Sequence, residues 1–320
     1  MLKSLTLIVS VFSAMPLAAQ VAFWEREWPN TDFDRTNVDF VEIISGGPPK
    51  DGIPALPSVD FGPVSGSSIP AREPVIALEI EGETPRAYPL RYLTWHEIAN
   101  DVVGDMPIAV TFCPLCNSGI VYDRRVGGQV LEFGVTGKLR FSDMIMFDRE
   151  SESWWQQING EAIVGDMLGE KLTVIVSWTE SMEEFTQRNP EGLVMAEPTG
   201  FNRRYGQNPY DGYDSAVRPF LYSGEPPPHG IAPLARVIMV GNKAWPLERL
   251  QELEVLEEGG VKITWRSGMA SALDSRNISQ GRDIGSIRVE DADGNPVVHD
   301  VVFAFAFNAF IDNPEWMLGE

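Results

Sequence analysis

The sequence predicts an α+β protein, predominantly β, made of two degenerate related β-rich units and not thioredoxin-like. Three observations carry this. Short runs of β-branched and aromatic residues recur between Gly- and Pro-rich turns, as in PVIALEIEG, MPIAVTF and VKITW. The chain also resembles itself: VIALEIEGETPRAYPLR (75–91) matches VIMVGNKAWPLER (237–249) in a strand, a turn and an Ala-aromatic-Pro-Leu strand. IAVTFCPLCNSGIVYDR (108–124) then lies over VKITWRSGMASALDSR (261–276) with one gap, which indicates a degenerate internal duplication. Finally, Cys-Pro-Leu-Cys is followed by Gly and β-branched residues. A thioredoxin-like site would continue as an amphipathic helix, whose N-terminus lowers the thiol pKa.

Taken in order, residues 1–19 have one early cation, Lys3, an apolar run from Leu5 to Phe12 and then small residues. This is the layout of a secretory signal peptide cleaved after Ala19. The run is shorter than the roughly 20 residues that span a bilayer. The expected location is therefore periplasmic or secreted, with no membrane span after signal cleavage. Residues 20–72 read as an extended N-terminal arm. They contain GGPPKDGIPALPSVDFGPVSG, which has little periodicity, and the apolar anchors Ile53, Leu56, Val59 and Phe61 hold the arm along the surface.

The first β-rich unit covers 73–195. PVIALEIEG and RAYPL form a hairpin. TWHEIANDVVG predicts a short helix, with Thr94 as N-cap, Glu97 completing a capping box and Gly104 as the stop. MPIAVTF is a strand, and GIVYDRRVGGQVLEFGV is a hairpin turning at Gly127-Gly128. SWTESMEEFTQRNPEG predicts a helix capped by Ser177 and Glu180 and ended by Pro190. An aromatic and Pro-rich loop occupies 196–235, with RRYGQNPYDGYD and a PPP run. The second, degenerate unit is 236–320, where VVFAFAFNAFI is a strand-sized apolar run. In this unit Arg266 and Met269 stand where the first has Cys113 and Cys116.

The formal charge is −21. Nucleic acid is thus a poor partner, because phosphate binding needs clustered cations, and anionic membrane surfaces are disfavoured for the same reason. The acidity fits solubility. G-x-S-x-G, P-loop and H-E-x-x-H patterns are absent.

The chemistry concentrates in TFCPLCNSG (111–119), which holds both of the chain's cysteines. Three readings compete. Cys113 and Cys116 fit two ligands of a soft metal ion, since thiolates two residues apart can face one ion. They equally fit a redox pair, with thiolate activation by His96 or Arg124. The third reading is a structural disulfide in a non-enzymatic binding or scaffold protein, which an exported chain permits. That loop is short, however, and a domain of this size has a large core of its own. For metal, the third ligand expected from the three histidines is His96, in LTWHEIAND. His229 lies in a Pro-rich loop and His299 in a strand turn. A Cys2His site with an open position suits copper before zinc. The partners then expected are envelope metal-handling or redox proteins. SDMIMFDRESESWWQQ adds Asp143, Asp148, Arg149 and Trp154, with Met144 and Met146 alternating onto one face.

AYPLRYLTWHEIANDVVGDMPIAVTFCPLCNSGIVYDR, FGVTG, SDMIMFDRESESWWQQINGEAIVG and the upstream DGIPAL together resemble the bacterial and archaeal family known as domain of unknown function 3179. The resemblance runs from about Asp51 to the C-terminal strands. It implies an exported or membrane-attached protein and supplies no activity. Besides His96 and the two cysteines, the matching motif stretches single out Asn117, Gly119, Asp143, Asp148, Arg149, Trp154 and Gln157 as supporting site residues.

Overall fold

The computed structural model describes residues 17–319. Most of the expected leader, residues 1–16, lies outside them. The chain is mostly β, in several small sheets joined by short helices. Among the described residues, no helix is long and apolar enough to cross a membrane.

Two copies of one frame organise the molecule. In the first, Pro74–Leu78 pairs antiparallel with Arg86–Pro89, and the chain enters the helix Leu90–His96 directly. Strands Ile98–Val103, Met106–Cys113 and Ser118–Asp123 follow as an antiparallel meander. Much later come strand Ser177–Ser181, helix Met182–Arg188 and strand Leu193–Met195. In the second copy, Arg236–Val240 pairs with Lys243–Pro246, and helix Leu247–Leu253 follows. Then come Val255–Glu258, Val261–Arg266 and Ser286–Glu290, again antiparallel. Strand Asp300–Phe303, helix Ala304–Phe310 and strand Glu315–Trp316 close it.

The correspondence extends to the pairing. Each closing strand runs parallel to its Ala-aromatic-Pro strand, with Val194 opposite Ala87 and Trp316 opposite Ala244. The first helix of each copy, Leu90–His96 and Leu247–Leu253, ends on a glutamate at positive φ, Glu97 and Glu254, each at φ 59°. The carbonyls of these two residues accept from Phe112 N and Trp265 N, both at 2.8 Å. Order, pairing and an unusual backbone position are shared by both copies, as a duplication requires, but residues 270–276, aligned in sequence with Ser118–Asp123 and its flank, lie in turns, and the corresponding strand is Ser286–Glu290.

The first unit carries an addition. Between Ser118–Asp123 and Ser177–Ser181 the chain builds Phe133–Arg140, Asp143–Asp148, Trp154–Gln156 and Ala162–Val164. These form a sheet whose outer strand is Ile43–Ser45 from the N-terminal segment. The N-terminal segment is not uniformly extended, because Leu17–Glu27 is a helix. The reason is apolar: Trp24 and Trp28 stand one turn apart, both buried. They pack on Trp154 with ring centroids at 5.3 and 5.4 Å, and Trp28 meets Phe147 at 4.7 Å.

Other expectations shift. The helix predicted over 94–104 lies earlier, at Leu90–His96, and Ile98–Val103 is a strand. Glu97 leaves the helical region, and its carbonyl is taken by Phe112, so the β-branched residues that follow pair instead of coiling. The second predicted helix starts four residues late. Ser177–Ser181 pairs with Pro74–Leu78, and the capping box is Ser181 with Glu184. The run VVFAFAFNAFI divides into strand and helix at Ala304. After Cys113 the chain turns and resumes as a strand at Ser118, and no helix begins there. The Gly127-Gly128 turn stands as expected, both residues at positive φ, joining two short strands.

The main core crosses both units. Phe303, Phe305 and Phe307 of the second share one cluster with Phe112, Cys113 and Cys116 of the first. Each such phenylalanine contributes roughly 1.5–3 kcal/mol by burial. The CPLC turn therefore sits at the junction of the copies, beneath both.

Candidate functional site

Cys113 is the last residue of its strand, and Cys116 closes the turn by donating its backbone N–H to Cys113 O at 3.2 Å. Both are free thiols, 1% and 0% exposed. Asn117 reverses the chain in the left-handed region, at φ 54°. Gly119 lies near the start of the return strand, where a side-chain Cβ would come within 3.2 Å of Ile76 Cδ1, so a larger residue there would press on the core.

The third member of the cluster is Asp143, from the added sheet. One sulfur from each cysteine and a carboxylate oxygen of Asp143 lie within 4.8 Å of one another. Among the described residues, this is the one group of three or more His, Cys, Asp or Glu side chains that converges so closely. Asp143 follows a tight turn in which Phe141 and Ser142 both have positive φ, 46° and 67°. Non-glycine residues at such angles cost on the order of 1–3 kcal/mol each. The surroundings hold them there: Ser142 Oγ donates to Phe220 O at 2.6 Å, and Ser142 O accepts from the Cys116 thiol at 3.6 Å.

The two oxygens of Asp143 differ. Oδ2 accepts from Gln156 Nε2 at 2.6 Å and from Ile158 N at 3.1 Å. Oδ1 is buried and has no partner other than the two thiols beside it, an expensive arrangement for an ionised oxygen. Burial pushes Asp143 up to about 6, against the Gln156 amide, the Ile158 N–H and the two neighbouring thiols, which favour its ionised form. Burial also raises the Cys113 thiol and, with Cys113 beside it, drives Cys116 well above the ordinary thiol range.

The second unit clamps the turn from the other side. Asp300 Oδ2 accepts from Ser118 Oγ at 2.8 Å and from Gly119 N at 3.1 Å. Asn117 Nδ2 donates to Val301 O at 2.6 Å, and Phe303 N donates to Cys116 O at 2.9 Å.

The residues singled out in the sequence separate accordingly. Cys113, Cys116 and Asp143 converge, and Asn117 and Gly119 shape the turn. Gln157 braces it, with Nε2 donating to Thr111 Oγ1 at 2.9 Å. His96 does not join them. Its Nδ1 is 2.7 Å from Pro54 O and its Nε2 2.6 Å from Tyr205 OH, so both ring nitrogens are engaged elsewhere. The cause is the early end of the helix at His96, which turns that side chain toward the loop at 196–235. Asp143 takes the place expected for His96. His299 is likewise bound to backbone, at Val297 O. Asp148 accepts from Ser151 and from Trp155 Nε1, and Trp154 belongs to the tryptophan cluster. Arg149 forks onto Asp51 at 2.9 and 3.0 Å. Trp154 and Arg149 hold the added sheet to the N-terminal segment, and Asp148 braces the sheet's own turn at Ser151. Met144 and Met146 are core residues.

Glu97, Gln156, Tyr210 and Asp300 were not among the expected site residues. Glu97 lies in the WHEI motif, and its unpaired acid could have been weighed there. Asp300 carries no local signal, since its partner Ser118 is 182 residues away.

No curated protein and no solved structure matches the chain significantly. The family described as "Protein of unknown function (DUF3179)" matches residues 50–315, a span that includes the CPLC turn, Asp143 and Asp300. With most of its length matched, the chain belongs to the DUF3179 family.

Proposed function

We propose that Cys113, Cys116 and Asp143 hold one thiophilic divalent cation, zinc in preference to copper(I), in an exported protein of the cell envelope. The observation that carries this reading is the convergence of Asp143 Oδ1, which has no partner other than the two thiols beside it, with both buried free sulfurs. A cation at the common point would compensate the carboxylate and draw the protons off both thiols. Metal binding is coupled to ligand deprotonation in this way, and a bound ion reverses the shifts that burial alone produces. The donor set decides between metals. Two thiolates suit zinc and copper(I) alike, but a carboxylate is an ordinary zinc ligand and a poor one for a soft monovalent ion. With His96 engaged elsewhere, the preference passes from copper to zinc.

Thiol–disulfide exchange fits less well. A partner disulfide must reach a sulfur, and both cysteines are buried. Reactive cysteines have lowered pKa values, whereas burial raises both of these.

The test is metal content of the full chain purified without chelator, followed by reconstitution with zinc and cobalt(II). One equivalent is expected, with the sulfur-to-cobalt charge-transfer absorption of a dithiolate site. Asp143→Asn should retain the fold and lose most of the affinity. Failure of the wild-type protein to take up zinc or cobalt while both thiols titrate as free would refute the assignment.

A further inference from the structure

A cavity of about 580 Å³ lies against the CPLC turn; neither sulfur lines it, though Glu97 in its wall is close enough to Cys113 and Asp143 to feel their charge. Leu115, between the two cysteines, and Met144, next to Asp143, form part of its wall, and Leu139, Tyr213 and Phe220 extend the apolar surface. Its size falls within the roughly 300–1,000 Å³ of small-molecule sites, which are mostly apolar with a few placed polar groups.

The placed polar group here is Glu97. It lines the cavity, is buried, and accepts from Tyr210 OH at 3.2 Å. It forms no ion pair among the described residues. The one lysine in the wall, Lys138, is already paired, its Nζ 2.9 Å from Glu27 Oε2. The cavity therefore offers one buried uncompensated acid beside two tyrosine rings, with Asp211, exposed at its edge, as a second carboxylate. Tyr213 is fixed in place: its hydroxyl donates to Leu115 O at 3.1 Å and accepts from Phe220 N at 3.2 Å. A carboxylate with fixed aromatic faces is suited to an ammonium group, through a charge-assisted hydrogen bond and cation–π attraction. Without a cation, burial pushes Glu97 up to about 7.

Glu97 is also where the two copies diverge in use. Glu254 holds the same backbone position in the second unit but is exposed. The positive-φ turn thus belongs to the frame, and only in the first unit does it aim an acid into a cavity.

We propose that this cavity binds a small organic ammonium ligand, its charge paired with Glu97 and its apolar body packed against Leu115, Met144 and the two tyrosines. This goes beyond the metal reading and does not rest on it.

The test is calorimetric titration of the full chain with benzylamine and phenethylamine, each against its isosteric neutral alcohol. It is run on both chelated and zinc-treated protein. The amines should bind one to one and at least about tenfold more tightly than the alcohols in both preparations, tenfold being ~1.4 kcal/mol. Glu97→Gln should erase that difference. Ala216→Trp, at an exposed position on the cavity rim, should weaken amine and alcohol together. Equal binding of amine and alcohol by the wild-type protein, or no binding of either, overturns the proposal without reference to any variant. Undiminished discrimination in a folded Glu97→Gln protein, or undiminished binding in Ala216→Trp, overturns it too. If zinc fails to bind yet the amines are still preferred, the metal reading falls and this one stands.

Discussion

In the first unit the strand Met106–Cys113 ends in a four-residue turn, with Pro114 and Cys116 buried, and returns at once as Ser118–Asp123. In the second, Val261–Arg266 ends at an exposed arginine, and residues 267–285 intervene before the chain returns as Ser286–Glu290. Up to that point the two copies share strand order, a Pro-Leu helix start and a glutamate at positive φ. The difference therefore lies at the end of the hairpin and in what is inserted beside it. Only the first unit has the added sheet, and that sheet supplies Asp143. The second unit contributes Asp300 and the Val301 and Phe303 backbone that grip the turn. One copy presents the donors, and the other restrains them.

The largest effect that would break this division is removal of the donors. Cys113→Ser with Cys116→Ser should abolish tight zinc binding. Changes in supporting residues typically cost only about 10–100-fold in metal affinity, so the loss should exceed that range in competition titrations. The equivalent double change at Arg266 and Met269 to serine should leave metal affinity as it is.

Next in size are the paired tryptophans. Trp28 holds the N-terminal helix on the added sheet, and Trp245 is buried in the second unit's own cluster. Replacing either by Ala should cost ~3–5 kcal/mol in chemical denaturation. Only Trp28→Ala should also weaken metal binding, because only it loosens the sheet that carries Asp143. Equal metal affinity in the two variants would show that the sheet's anchoring is irrelevant to the site.

Smaller again is Asp300→Asn. It keeps the shape but replaces the acid that accepts from Ser118 and Gly119, an acid that burial pushes up to about 7, and should lower zinc affinity by about 10–100-fold with the metal still seated. An unchanged affinity would mean the second unit is scaffolding alone. The least effect is expected from a graft. Arg266→Cys with Met269→Cys should create no second metal site, since nothing in the second unit corresponds to Asp143 or its two positive-φ neighbours.

The sequence alone revealed the parts of this comparison that are local. The Ala-aromatic-Pro-Leu strands repeat as text, and the Gly and β-branched residues after Cys116 announce a turn and a strand. Helix limits were less legible. Thr94 and Glu97 imitate a capping box, and nothing local shows that Glu97 adopts a positive φ to let Ile98 pair with Thr111. Likewise the helix Leu17–Glu27 is held by Trp24, and by Trp28 just past its end, packing on Trp154 far along the chain. The cysteines were evident as a site and their companion was not. His96 is nearer in sequence, but its nitrogens are consumed by Pro54 and Tyr205, while Asp143 arrives through the register of an inserted sheet. Which oxygen of Asp143 is left to the thiols depends on Gln156 and Ile158, a detail that only three-dimensional packing fixes.

The central claim is that two thiolates and one carboxylate meet at a single ion. X-ray absorption at the zinc edge of the reconstituted full chain tests it most directly. The account predicts a first shell with two sulfurs near ~2.3 Å and oxygen at ~2.0–2.2 Å, one oxygen being lost or lengthened in Asp143→Asn. A first shell of oxygen and nitrogen without sulfur, or one that Asp143→Asn leaves untouched, would contradict it.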